Sequence, residues 1–181
     1  MIRMVLEGRE PFHCLEDCEN SVLKYRLATS EKARALNREL GDVASQLTAF
    51  LGHEFDTLTH TLTGLSNACY AYWWVTGLSS ALCQEKLAGI LNRNFTFPHT
   101  TETEEAKQNI AQYILELSKR FNHSEIQKVR EYYSLYLEEC AEIGAYTFLY
   151  GLEWGYQLLG RSGLLKHLPD WEKIYNRLPL W

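Results

Sequence analysis

The chain has 181 residues, of which 46% are hydrophobic and 13% aromatic, and a formal net charge of −5. That apolar content is enough for a cooperative core and argues against a disordered chain. The acid excess leaves no electrostatic footprint for nonspecific nucleic-acid binding, which needs clustered cations to displace phosphate counterions, so direct nucleic-acid contact is not expected.

Residues 1–13 read as an extended or turn segment around Gly8 and Pro11, without the apolar core of a signal peptide. The five cysteines are an odd number, and three of them, Cys69, Cys83 and Cys140, fall in apolar helical stretches. They read as small buried hydrophobes in a reducing cytoplasm. His13, Cys14 and Cys18 cluster in sequence, yet a structural zinc site needs about four ligands and no second pair follows at a suitable spacing. No metal and no cofactor are expected.

A first helical region carries Val22, Tyr25, Leu36, Leu40, Val43, Leu47 and Phe50 at helical spacing. Ser30 is placed to cap a restart after Ala28 and Thr29, and Gly52 to end the helix. A second helix is expected from about Glu54 to Asn92. His53 and Glu54 begin like a zincin helix, but Thr57 stands where the second histidine belongs. From Thr57 to Gln84 there is no Asp, Glu, Lys or Arg. Threonines, serines, Asn67, His60 and glycines dilute that stretch, so it reads as a packed helix and no membrane span is expected.

Residues 93–100, RNFTFPHT, form the linker, because Pro98 lacks a backbone donor and restricts its predecessor. A third helix over 102–121 has Thr101 and Glu104 as a predicted capping box, and a fourth over 125–159 has Ser124 and Gln127. Gly160 is predicted to end the fourth helix. Glu131, Glu138 and Glu142 recur at seven and four residues along it, with Glu139 beside them, and no Lys or Arg occurs from Glu131 to Gly160. Such an acidic stripe suits a basic protein partner. Asp170 can cap a short terminal helix anchored by Trp171 and Trp181.

Two stretches echo each other: AYWWVTGLSSAL with Tyr72, Gly77 and Leu78, and AYTFLYGLEWGYQLL with Tyr146, Gly151 and Leu152. Large rings around small glycines suit close helix packing, and the echo predicts duplicated helix hairpins. The expected fold is all-α, a helical bundle of two tandem related hairpins plus a short C-terminal helix. Residues 1–92 form the first half, 93–100 the linker and 101–181 the second half, packed as one unit. Tyr72, Trp73, Trp74, Phe148 and Trp154 cover more than one helix face and are the candidates for self-association into a homodimer.

Leu6, Gly8 and Pro11, with Tyr72 to Leu82 and, more closely, Phe148 to Gly155, resemble a family of short uncharacterised helical proteins of clostridia and their mobile elements. That family has a Leu-x-Gly-x-x-Pro opening and a Phe-x-x-Gly-Phe-x-Leu-Gly helix. Ser80 stands where its second glycine is expected. The resemblance implies an all-α fold and no chemistry. By analogy of size and composition the chain is also similar to small helical CRISPR-nuclease inhibitors, which implies a Cas nuclease as the protein partner and a binding function without catalysis. The alternative rests on Glu16 and Glu19, then Glu39 and Asp42 in ELGDV. These resemble the metal-binding carboxylates of MazG-type nucleoside triphosphate pyrophosphatases and imply Mg²⁺-dependent hydrolysis, with only fifteen residues ahead of Glu16 where that family has a substantial helix.

Overall fold

A computed structural model describes residues 31–83, 97–165, 167, 169–170 and 173–174. Among them the protein is all-α, a helical bundle of four helices: α1 (Glu31–Leu51), α2 (His53–Leu82), α3 (Thr101–Leu117) and α4 (His123–Arg161). The expectations for residues 1–30, including Glu16 and Glu19, and for Trp171 and Trp181 lie outside the described residues.

Helix α1 buries Leu36, Leu40, Val43, Leu47 and Leu51, one stripe at spacings of three and four. It stops at Gly52, whose φ of 53° lies in the left-handed region and whose N–H donates to the Thr48 carbonyl at 3.3 Å. That single residue joins α1 to α2. Helix α2 opens with Glu54 and Asp56, whose charges oppose its N-terminal dipole. Its first half stays compatible with water through threonines: the hydroxyls of Thr59, Thr61 and Thr63 donate to the carbonyls of Asp56, Thr57 and Thr59. It is described as far as Leu82, and the expected continuation to Asn92 falls on residues outside the described ones.

Both predicted capping boxes are displaced. At α3 the cap is Thr100, not Thr101: the Thr103 N–H donates to Thr100 Oγ1 at 3.2 Å, and the Thr100 N–H donates to Thr103 Oγ1 at 2.9 Å. The Thr103 hydroxyl is anchored by donating to the Pro98 carbonyl at 2.6 Å, while Glu104 is drawn to His99 and Lys107. At α4 the box is Asn122 with Glu125, two residues ahead of Ser124 and Gln127. Its end also lies later than Gly160. The Leu164 N–H reaches the Leu159 carbonyl and the Gly163 N–H reaches Gly160, with Gly163 at φ 75°, a Schellman closure. Asp170 does cap the following turn, accepting from the Lys173 N–H at 3.2 Å.

The contacts divide the described chain into two compact units. One comprises residues 31–69 with 97–142, the other residues 70–83 with 143–165 and the described tail. In the first, Phe55 packs on Tyr132 and the Tyr136 hydroxyl donates to the Leu62 carbonyl, so α2 and α4 run parallel. Helix α1 runs the other way, since Lys32 lies by Glu142 and Phe50 by Phe121. Leu47, Leu58, Leu62, Leu65, Ile110, Leu117 and Val129 form this core, each almost wholly excluded from solvent.

The second unit is built on a glycine seam. A Cβ on Gly77 would collide with the backbone carbonyl of Phe148, and one on Gly151 would stand 2.7 Å from the Trp74 carbonyl oxygen. Gly155 faces Ala81, and Gly144 lies under the Trp73 ring. Sequence position rises together along the two segments, so here too they run parallel. Backbone meets backbone because the glycines leave nothing between them.

Candidate functional site

The seam decides where the aromatic residues go. Trp73, Trp74 and Phe148 are buried inside the second unit, as are Tyr146, Tyr150 and Tyr156. Trp74 stacks obliquely on Tyr150 with centroids 5.1 Å apart, and Tyr150 meets Trp154 edge-on at 6.2 Å. Of the five residues expected to face another copy, three are therefore interior, Trp154 is half-buried and Tyr72 is exposed. The correction has a geometric cause: the glycines let the two helices meet backbone to backbone, and the rings beside that contact, such as Trp73 over Gly144, are enclosed with it. On α2 Tyr72 is joined as an exposed apolar residue by Val75 and Leu82, which spacing opposite Gly77 could have revealed.

The acidic stripe of α4 is split by burial. Glu138 is exposed, Glu131 and Glu139 are half-buried, and Glu142 is only 3% exposed with the Lys32 ammonium 3.8 Å from its Oε2. Glu142 thus belongs to the first unit's interior and is withdrawn from the surface stripe. Glu131 is joined by Lys128 at 3.1 Å, a pair one helical turn long. Glu139 differs from both. Burial holds its carboxyl above the ordinary glutamate range, and neither its own helix from Glu131 to Gly160 nor α2 from Thr57 to Leu82 contains a Lys or Arg. Burial raises the pKa of the neighbouring Tyr132 phenol, with the Glu139 charge adding to it, and burial and then Cys140 raise that of Tyr136, with a smaller contribution from Glu139. The result is a shielded carboxylate on an acidic rim beside two tyrosines.

Glu39 and Asp42 are both exposed on α1, one turn apart. Asp42 borders a shallow surface depression with Arg34, Asn37, Arg38 and Gly41. Among the described residues no group of three or more His, Cys, Asp or Glu is placed to hold a metal ion. His53 and His60 are both exposed. The thiols of Cys69 and Cys140 are buried and that of Cys83 is exposed. Burial, with a smaller contribution from Cys140, pushes the Cys69 thiol up to about 12, so it stays protonated and unreactive at neutral pH.

Two polar contacts were not legible in the sequence. Arg120 pairs with Glu54, and the Tyr113 hydroxyl donates to the Glu54 carbonyl at 2.6 Å. Both depend on which helices become neighbours, and no local pattern announces them. No described helix is long and apolar enough to cross a membrane. No protein-family model, curated protein or solved structure matches the chain.

Proposed function

We propose that the protein is a cytoplasmic, non-enzymatic helical module of two related hairpins that binds a basic surface on another protein through Glu131, Glu138 and Glu139 of α4. The observation that carries this reading is Glu139, a half-buried carboxylate on a stretch of α4, Glu131 to Gly160, that contains no Lys or Arg, as α2 contains none from Thr57 to Leu82. A desolvated carboxylate is costly by itself and becomes favourable when a guanidinium or ammonium is brought to it. The exposed Glu138 would extend the same field and speed encounter with a cationic partner. In its most specific form the module is a mobile-element inhibitor of a CRISPR nuclease, supported by size, acidity and helical fold alone.

Capture from host lysate compared between the native chain and a Glu138→Lys, Glu139→Lys variant tests the site. A partner lost from the variant supports it, and equal capture by both rejects the α4 surface.

The second reading, Mg²⁺-dependent hydrolysis of a nucleoside triphosphate, is favoured by Asp42 bordering a depression that also holds Arg34 and Arg38. Pyrophosphate release from mixed NTPs with Mg²⁺ that disappears in Glu39→Ala and Asp42→Ala would establish that activity and displace the binding-only reading.

A further inference from the structure

The surface of α2 facing away from the glycine seam carries an inference that does not depend on the α4 carboxylates. Tyr72, Val75 and Leu82 are 41%, 54% and 52% exposed, and Ser79 between them is exposed as well. Successive residues turn by about 100°, so these four positions fall within a stripe about 80° wide. Trp73, Trp74, Gly77 and Ala81 face the opposite way, into the seam. Large exposed apolar side chains occur singly on ordinary surfaces, but three aligned on one helix make a patch.

We propose that this stripe is the contact between two copies of the chain, related by a two-fold axis that passes near the level of Gly77. The choice of occupant follows from charge. In a two-fold contact the same patch meets itself, so a charged group near the axis faces its own like. Helix α2 has no Asp, Glu, Lys or Arg from Thr57 to Leu82, so two such faces meet without like-charge repulsion and without stranding an ion out of water. A strongly acidic or basic partner, by contrast, finds no countercharge on this face. An antiparallel crossing at that level sets Tyr72 against Leu82 of the other copy and Val75 against Ser79. The small serine leaves room for the branched valine and lets the helices approach.

The test is light scattering on the full chain over roughly 1 μM to 1 mM, a span that distinguishes functional from negligible association. The expected mass at the upper end is twice the 21.0 kDa of one chain. Val75→Glu places two carboxylates near the axis and should weaken association at least about tenfold, with helicity unchanged because the side chain points to solvent. Ser79→Arg, which fills the gap opposite Val75, should do the same and serves if the first variant folds poorly. A 21.0 kDa species at every concentration overturns the proposal. So does a dimer that both variants leave intact, which would place the interface elsewhere. Capture of a basic partner by a chain that stays monomeric would remove this contact and leave the α4 reading standing.

Discussion

Glycine has opposite meanings at different positions of α2. At Gly77 a methyl group would run into the Phe148 backbone, which cannot swing aside as a flexible side chain can. Gly77→Ala is expected to cost about 1–3 kcal/mol, as overpacking does. At Gly64 nothing lies within 4 Å, so Gly64→Ala should instead gain about 0.5–1 kcal/mol by restricting the unfolded chain. Urea denaturation of the two variants reads both signs. Glu139 gives a second expectation at this scale. Its folded pKa is raised, so the native state holds the proton more tightly than the unfolded chain, and this group removes stability as pH rises above the ordinary value of 4.5. Glu139→Gln should therefore match the native chain's stability below that value and exceed it at neutral pH. Denaturant midpoints across the acid range provide the check, and a constant difference at all pH values would contradict the sign.

For the helices as elements, most of the hydrophobic stripe of α1 was legible: Leu36, Leu40, Val43 and Leu47 are buried as their spacing requires, whereas Phe50 is half-buried and Leu51 takes the buried place at the end of the stripe. The left-handed stop at Gly52 was legible for the same local reason. The cap positions were not. Threonines at 100, 101 and 103 all offer hydroxyls, and the choice fell to Thr100 because Thr103 is tied to Pro98, a preference set by the preceding chain. At α4, Asn122 and Glu125 form the reciprocal pair although Ser124 and Gln127 fit the usual letters. Asn122→Ala should lower stability by about 1 kcal/mol, and Ser124→Ala should change it far less. Thermal or denaturant melts of both variants decide which residue caps the helix. Of the candidate site, the alignment of carboxylates along α4 was visible in the sequence. The inward turn of Glu142 was not, because it depends on Lys32 arriving from a distant helix.

On the scale of the whole molecule, both compact units draw on the first helix pair and on the second. Residues 31–69 complete their core with 97–142, and residues 70–83 rest on 143–165. A fragment ending at residue 92 would retain Leu62, Trp73 and Gly77 but lose Tyr136, Gly144 and Phe148, the groups that cover them. Such a fragment is expected to show no cooperative thermal transition. A sharp melt of the isolated fragment would mean that the first pair folds without its neighbour. The aromatic echo was readable as a packing device from the sequence, yet its direction was not: rings and glycines satisfy each other within one chain, and the outward surface is left to Tyr72, Val75 and Leu82.

The one-residue joint at Gly52 sets a limit on length variation. Adding a residue there would rotate everything downstream by about 100° about the α2 axis and carry Phe55, Leu58 and Leu62 away from the core they fill. The connection over residues 118–122 has no such one-residue corner. Insertions and deletions between natural variants should accordingly collect at that second joint, leaving the spacing between Leu51 and His53 unchanged.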